Sequence, residues 1–225
     1  HVRFTSKKVY FIGENIRPNF FLADFTISFD YNTYNKRNIR WPLYNLYFDP
    51  KTDPVQSKPT KFCCMVVSNP RNKLREKVFR MLSAYKTVDS GGRWLNNVGG
   101  AVSDKNQFLM DYKFCLCFEN TYHDGYTTEK LLEAKLFGCI PIYWGNRRVG
   151  DDFNKKAFIS LHDYSSISEM IYDIARIDAD DNLFNTIRSE PLLNNNEYTI
   201  YSNKAIFNAW LYSVVESESN SFYHN

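Results

Sequence analysis

Residues 112–145 read YKFCLCFENTYHDGYTTEKLLEAKLFGCIPIYWG, and this stretch decides the fold. Residues 113–118 form an apolar run that is typical of a buried strand, and a polar loop follows it. A helix is predicted over residues 128–137, ended by Gly138, and a second strand over residues 140–144. Strand, loop, helix and strand at this spacing make a βαβ unit, which predicts an α/β protein with a parallel sheet.

The flanking sequence extends this pattern in both directions. Residues 61–68 predict a strand buried on both faces, and residues 71–85 place apolar side chains at helical spacing. Residues 49–60 carry three prolines and almost no apolar side chain, so they predict a linker. The remaining elements are predicted as strands at residues 8–12, 23–29 and 87–89, and as helices at residues 105–112, 165–177 and 204–215.

Polar residues directly follow three of the predicted strands. These residues are Ser68-Asn69, Glu119-Asn120 and Gly145-Asn146. The carboxyl ends of parallel strands meet at one rim of a sheet, where α/β proteins bind their ligands. The sequence therefore predicts a ligand site at this rim.

The loop that follows the first strand of the βαβ unit holds most of the candidate site residues. Thr127 or Thr128 is predicted to cap the next helix, whose N-terminus would offer N–H groups to an anion. Glu129 lies where a carboxylate steadies the helix dipole, or where it accepts hydrogen bonds from ribose hydroxyls. Lys130 is either a surface lysine or a phosphate ligand. Tyr126 is a candidate for stacking on, or hydrogen bonding to, a sugar nucleotide.

Two further candidates lie outside this loop. Arg75 falls in the first turns of a predicted helix after Ser68-Asn69, where it is either a solvated arginine or a ligand of a pyrophosphate. Glu14 follows a predicted strand in Gly-Glu-Asn, and it is either a turn residue or a general base.

Charge patterns argue against a nucleic acid partner and against a metal site. The formal net charge of +3 is too small to predict a nucleic acid partner. Arg147-Arg148 with Lys155-Lys156 predicts a solvated surface, and a weak contact with a membrane surface stays open. Asp178-Ala179-Asp180 fits the Asp-x-Asp metal pattern, but it ends a predicted helix and is interpreted as a polar helix terminus. No metal site is predicted.

The five cysteines are predicted to be buried free thiols. Their number is odd, and most lie inside apolar runs. Cys115 and Cys117 are two residues apart in a strand, so they should share one face. No apolar stretch is long enough to span a membrane, and no Asn-x-Ser/Thr sequon occurs. These features favour a reducing, cytoplasmic compartment.

These same residues resemble a known family. Residues 112–120, 125–130 and 138–145 closely resemble the α1,3-fucosyltransferases, especially the bacterial enzymes that make Lewis-type antigens. The supporting segments are residues 67–70 with Arg75, residues 92–97, and residues 11–15 with 18–20. The resemblance runs from about residue 8 to residue 165.

The resemblance implies a GT-B architecture, in which two Rossmann-like domains face a cleft. It implies inverting transfer of fucose from GDP-fucose to an N-acetylglucosamine-containing glycan, without a required metal or cofactor. The general base of the family falls on Glu14. Its donor-binding residues fall on Arg75, Asn120, Tyr126, Glu129 and Lys130.

The implied domains are the tail of an acceptor-side domain (residues 1–55), a GDP-sugar-binding Rossmann-like domain (56–190) and a C-terminal helical segment (191–225). The first half of the acceptor-side domain has no counterpart in the sequence, so the acceptor is not specified. A peripheral place on the inner face of a bacterial membrane is an open alternative. So are a transferase of another nucleotide sugar, a non-catalytic sugar-nucleotide or glycan-binding module, and a structural α/β protein.

Overall fold

The chain forms two parallel sheets in the computed structural model, which describes residues 6–217. The first sheet has the order β1-β2-β3 and the second β5-β4-β6-β7-β8. The strands are β1 (Val9–Phe11), β2 (Phe25–Ser28), β3 (Asn38–Arg40), β4 (Lys61–Met65), β5 (Val88–Ser90), β6 (Tyr112–Phe118), β7 (Ile140–Trp144) and β8 (Ile159–Ser160). The helices are α1 (Lys73–Tyr85), α2 (Lys105–Leu109), α3 (Lys130–Leu136), α4 (Ile167–Ala179), α5 (Asp181–Ser189) and α6 (Lys204–Glu216).

The central strand β6 is buried on both faces, as its continuous apolar run predicts. Cys115 and Cys117 belong to the core that α3 covers, where Leu131 and Leu132 lie. The intervening Leu116 belongs to the opposite core, which contains residues of α1 and α4. The alternation follows from the period of two in a strand, and it confirms that Cys115 and Cys117 share a face.

The strand order creates the rim that the sequence predicts. The chain passes from β4 outward to β5 and then crosses back to β6 on the other side of β4. The order therefore reverses between β4 and β6, and such a switch point opens a crevice at the carboxyl ends of the strands. Residues after β4 and β6 line this crevice, so the fold places Asn69 and Asn120 near each other.

Helix α6 returns to the first sheet. The ring of Phe207 lies 4.4 Å from Trp41 and that of Trp210 lies 6.2 Å from Phe25, measured between centroids. The indole N–H of Trp210 also donates a hydrogen bond of 3.1 Å to the carbonyl of Lys36. The last described helix thus packs on the first sheet. This sheet (β1–β3) with its connecting loops is called the N-terminal half below, and the second sheet with its helices and loops is the other half.

Three elements lie outside the sequence predictions. Strand β3 forms where the sequence predicts a polar loop. The prediction is wrong because the inward residues of this strand are polar: Asn38 is buried, and its Oδ1 accepts hydrogen bonds from the hydroxyls of Thr26 and Ser28. Strand β8 has only two residues. Helix α5 begins where Asp180, interpreted as a helix terminus, accepts hydrogen bonds from the backbone of Asn182 and Leu183.

The predicted cysteine state is confirmed, since all five cysteines are buried free thiols. None of the helices in residues 6–217 has the length and apolar character needed to cross a bilayer.

Candidate active site

The buried carboxylate of Glu119 organises the loop that follows β6. Its Oε1 accepts a hydrogen bond of 2.7 Å from the backbone N–H of Thr128, and its Oε2 accepts one of 2.7 Å from the Thr128 hydroxyl. The Lys130 ammonium donates to the same Oε2 at 3.0 Å. Charge-assisted hydrogen bonds of this kind are roughly twice as strong as neutral ones. They fold residues 120–127 into a closed loop against the end of the sheet.

This arrangement corrects the predicted start of α3. The helix begins at Lys130, and its N-cap residue Glu129 makes no capping hydrogen bond with its side chain. Thr127 and Thr128 do not cap the helix. Their hydroxyls donate to Asp152 and Glu119, and they accept from the Nδ2 of Asn146 and the ammonium of Lys130 rather than from a backbone N–H of α3. The N–H of Thr128 is also occupied by Glu119, so it is not free to bind an anion.

Lys130 and Glu129 lie side by side at the edge of the loop. Their side chains keep 20% and 24% of their exposed surface, and the ammonium lies 3.9 Å from the Glu129 carboxylate. Burial lowers the pKa of Lys130, but the negative charges of Glu119 and Glu129 outweigh burial and raise it. Lys130 is therefore a permanent cation that a ligand can reach.

Arg75 lies beneath the rim of the sheet. Its guanidinium donates hydrogen bonds to the carbonyls of Asn69, at 2.5 Å, and Phe118, at 3.2 Å. It also reaches the Oδ1 of Asn120 at 3.4 Å. Burial lowers the pKa of Arg75 to about 10, although Glu119 opposes this shift. Its Nε is buried without a hydrogen-bond partner in the described part of the chain. Arg75 thus ties the ends of β4 and β6 together and places a positive charge under Asn120.

Tyr126 is buried between the two halves of the molecule. Its ring is 2% exposed and packs edge-on against Phe29 at 4.7 Å between centroids. Burial raises the pKa of Tyr126, and the nearby carboxylates of Glu119 and Glu14 add to this effect. Its hydroxyl has no hydrogen-bond partner within residues 6–217. The ring is committed to the contact between halves, which leaves the hydroxyl as the group available to a ligand.

Glu14 faces this loop from the N-terminal half. It is exposed and lies on the connection that follows β1. Its neighbour Asn15 donates a hydrogen bond of 2.7 Å from Nδ2 to the Thr121 hydroxyl. This contact shows that the two loops are close. A carboxylate is thus placed at the boundary between the halves, opposite the loop with Lys130.

Two residues that hold this loop, Arg40 and Asp152, are not indicated by the sequence. Arg40, at the end of β3, and Asp152 form a buried ion pair of 2.6 Å across the boundary between the halves. The local pattern gives no signal for Arg40, because a charged residue in a short polar segment predicts solvent exposure. Its role emerges only from the tertiary contact.

The Asp178-Ala179-Asp180 segment has the structural role that the sequence analysis gives it. Asp178 is buried and pairs with Lys86 at 3.0 Å and Lys113 at 3.3 Å. Across residues 6–217, the structure places no three His, Cys, Asp or Glu residues where they could share a metal ion.

The fold and this site together define a class of protein. Two parallel-sheet halves meet at the Glu14 and Glu119 loops, and cationic side chains gather at the switch point of the larger sheet. This is the architecture of GT-B glycosyltransferases. Residues 55–187 match the C-terminal domain of glycosyltransferase family 10 (fucosyltransferase), and residues 1–47 match the alpha-(1,3)-fucosyltransferase FucT N-terminal domain. The chain belongs to glycosyltransferase family 10, the fucosyltransferases.

Individual relatives agree with this assignment. The chain is 31% identical to the alpha-(1,3)-fucosyltransferase FucT of Helicobacter pylori over an alignment of 261 residues, which covers 98% of the chain and 55% of the relative. It is 30% identical over 166 residues to human 4-galactosyl-N-acetylglucosaminide 3-alpha-L-fucosyltransferase 9, covering 71% of the chain and 45% of the relative. The chain thus spans about half the length of these two relatives.

A solved structure is similar over nearly the whole chain. The crystal structure of an alpha1,3-fucosyltransferase with GDP-fucose superposes with a TM-score of 0.86 at 32% identity. The match covers 98% of this chain and 78% of the other. The fold predicted from the sequence is therefore confirmed.

Proposed function

We propose that this chain transfers fucose from GDP-fucose to a hydroxyl of an N-acetylglucosamine-containing glycan, with inversion at the anomeric carbon. The observation that carries the proposal is the constellation of Glu119, Lys130 and Arg75 at the switch point of the larger sheet. It is supported by the similarity to a fucosyltransferase solved with GDP-fucose. A guanosine diphosphate carries the negative charge that such a cationic rim recognises.

The first half of the reaction falls to Glu14. Its carboxylate takes the proton from the acceptor hydroxyl while that oxygen attacks the anomeric carbon of fucose. The bond from this carbon to the phosphate oxygen breaks, and its electron pair leaves with GDP. Attack from the face opposite the leaving group inverts the configuration. A positioned base contributes roughly 10²–10⁴-fold to such a step.

In the same step, the site must stabilise the negative charge on the leaving GDP. Lys130 supplies a cation at the surface of the loop, and Arg75 supplies one beneath Asn120. Glu129, with 24% of its side chain exposed, is placed to accept hydrogen bonds from ribose hydroxyls. The Tyr126 hydroxyl and the side chain of Asn120 are the remaining contacts that we assign to the donor. Fixed charges of this kind stabilise a leaving group without reorganising as the bond breaks.

The acceptor assignment rests on names rather than on contacts. Human fucosyltransferase 9, to which the chain is similar, is named for a 4-galactosyl-N-acetylglucosaminide. We extend that acceptor class to this chain as part of the proposal. Independence from a metal or cofactor, a cytoplasmic location and a peripheral membrane contact through Arg147-Arg148 and Lys155-Lys156 remain predictions from the sequence.

A ligand panel tests the donor. The melting temperature of the chain is measured with GDP, GDP-fucose, GDP-mannose and UDP-sugars, each with and without EDTA. We expect the guanosine nucleotides to raise it and the UDP-sugars to leave it unchanged, with no effect of EDTA. A shift with UDP-sugars alone would assign a different donor, and no shift with any nucleotide would refute the donor site. A GDP shift without any fucosyl transfer would indicate a binding module.

A further inference from the structure

A buried polar cluster joins the two halves directly behind the donor loop, which we define as residues 119–130. Arg40 donates to both carboxylate oxygens of Asp152, at 2.6 Å and 2.7 Å. The same carboxylate accepts hydrogen bonds from the hydroxyls of Thr127, at 2.8 Å, and Tyr44, at 3.3 Å. The Arg40 and Asp152 side chains are only 2% and 0% exposed. None of the donor contacts proposed above uses this cluster.

Arg40 also binds the backbone of both halves. Its Nε donates to the carbonyl of Phe29 at 3.2 Å, and its Nη2 donates to the carbonyl of Gly125 at 2.9 Å. Its guanidinium carbon lies 4.4 Å from the centroids of two rings, those of Tyr31 and Tyr201. Every nitrogen of the guanidinium therefore has a partner, and the planar group is fixed in orientation.

Asn146 completes the hold on the loop from the other side. Its Oδ1 accepts a hydrogen bond of 2.8 Å from the N–H of Gly125, and its Nδ2 donates to the Thr127 hydroxyl at 3.0 Å. The two residues that flank Tyr126 are thus fixed through the N–H and carbonyl of Gly125 and the hydroxyl of Thr127. Tyr126 itself makes none of these contacts through its side chain.

Stability alone is a poor explanation for such a pair. Taking two charges out of water costs several kcal/mol each, and replacing a buried ion pair by apolar residues is often neutral or stabilising. A bidentate pair does fix geometry, because both groups are planar. The Arg40–Asp152 pair joins the N-terminal half to the loop that carries Tyr126, Thr128 and Lys130. The positions of these side chains would decide how well the loop binds the donor.

We infer that Arg40 and Asp152 are positioning residues for the donor loop. They act through Gly125 and Thr127 to set the place of Tyr126, and through Thr128 the place of the Glu119 carboxylate. This inference rests on the proposed function only in naming GDP as the ligand. The loop should keep its conformation in the absence of any nucleotide.

Thr127 gives the mildest test of this inference. Thr127→Val removes one hydroxyl from Asp152 and leaves the ion pair in place, whereas Thr127→Ser keeps the hydroxyl. Arg40→Lys removes the bidentate geometry but keeps the charge. Asp178→Asn is the matched control, because Asp178 is a buried carboxylate paired with Lys86 and Lys113 away from the loop.

Two readouts are measured on the full chain: hydrogen exchange of the amides of residues 125–128 without ligand, and the Kd for GDP by calorimetry. We expect Thr127→Val and Arg40→Lys to speed exchange and to raise the Kd about tenfold or more, the equivalent of one lost buried hydrogen bond. Thr127→Ser should stay within about twofold of the wild type. Asp178→Asn should lower the melting temperature and change neither readout.

Several outcomes would overturn the inference. Unchanged exchange at residues 125–128 in both Thr127→Val and Arg40→Lys would do so, whatever the nucleotide result. Faster exchange with an unchanged Kd would also do so, because the pair would then be only structural. If the wild-type chain binds no GDP, the proposed function fails, and the exchange result alone decides whether the pair holds the loop.

Discussion

In the proposed reaction, Glu14 is the residue that acts on the acceptor. It is exposed and faces the donor loop, and Asn15 beside it is bonded to Thr121 of that loop. Its carboxylate is acceptor-only when ionised, so it can take a proton from an acceptor hydroxyl. Its role as base is a prediction from the family resemblance, and it is open to direct test.

We predict that Glu14→Gln lowers kcat by about 10²–10⁴-fold, the usual contribution of a general base. The amide keeps the shape of the side chain, so the Kd for GDP should stay within about twofold of the wild type. Turnover with GDP-fucose and calorimetry with GDP measure the two quantities. Glu197→Gln, at another exposed glutamate, is the control. A near-normal kcat in Glu14→Gln would show that another group is the base.

In the proposed reaction, Lys130 is a cation that binds the donor. It pairs with Glu119 at 3.0 Å, and 20% of its side chain is exposed. We predict that Lys130→Met raises the Kd for GDP about 30-fold or more, because truncating one partner of a charge pair costs roughly 2–5 kcal/mol. Lys73→Met, at a lysine that is 88% exposed on α1, should leave the Kd unchanged. Equal affinities in the two variants would remove Lys130 from the donor site.

At the scale of elements, the donor loop meets the end of β2 at Gly125. Gly125 has a φ of +96°, and a Cβ there would lie 2.1 Å from the carbonyl oxygen of Phe29. Gly99 has a similar φ of +87° but open space around it. Alanine substitutions at Gly125 and Gly99 therefore separate the cost of the left-handed backbone conformation from the cost of a steric clash between the halves.

We predict that Gly99→Ala lowers the free energy of unfolding by about 1–2 kcal/mol, the cost of a left-handed conformation. Gly125→Ala should lower it by about 4 kcal/mol or more, because the new methyl group forces the loop away from β2. Urea unfolding followed by fluorescence measures both values. Similar losses in the two variants would mean that the halves separate easily at this point.

The elements that follow hydrophobic patterns could be predicted from the sequence, and those that depend on buried polar contacts could not. Strand β6 and helix α1 have apolar residues at the expected spacing, and their positions agree with prediction to within a few residues. Strand β3 could not be predicted, because its buried residues, Asn38 and Arg40, are polar. The start of α3 was misplaced because Thr128 bonds to Glu119, a contact that spacing does not reveal.

The candidate site shows the same division. The strand ends and the resemblance both indicate the rim, and the structure places Arg75, Asn120 and Lys130 near the end of β6. The burial of Arg75 and the hold of Arg40 on Gly125 depend on contacts between segments that are distant in sequence. A single sequence contains no physical signal for such contacts.

At the scale of the whole molecule, we expect the buried Lys135 to make stability depend on pH. Lys135 of α3 is 1% exposed and donates hydrogen bonds to the carbonyls of Ile187, at 3.0 Å, and Arg188, at 2.8 Å, near the end of α5. Burial lowers the pKa of Lys135 to about 8 from its ordinary value of 10.5. Below pH 8 both folded and unfolded chains carry the proton, and the folded chain bears the full cost of the buried charge.

As pH rises from about 8 to 10.5, the folded chain loses this proton while the unfolded chain still holds it, so the cost disappears. We predict that the wild type gains up to about 3 kcal/mol of unfolding free energy relative to Lys135→Met across this range. Denaturant unfolding of both proteins at each pH gives the difference. Lys77→Met, at an exposed lysine, should show no such trend. A constant difference between the wild type and Lys135→Met would contradict the prediction.

For the whole molecule, we propose a fucosyltransferase whose donor is GDP-fucose. The most direct test is mass spectrometry of a 4-galactosyl-N-acetylglucosaminide glycan incubated with the purified chain and either GDP-fucose or GDP-mannose. We predict that GDP-fucose adds one fucosyl residue to the glycan with release of GDP, and that GDP-mannose adds nothing. Transfer from GDP-mannose, or binding of GDP-fucose with no transfer to any glycan tried, would contradict the claim.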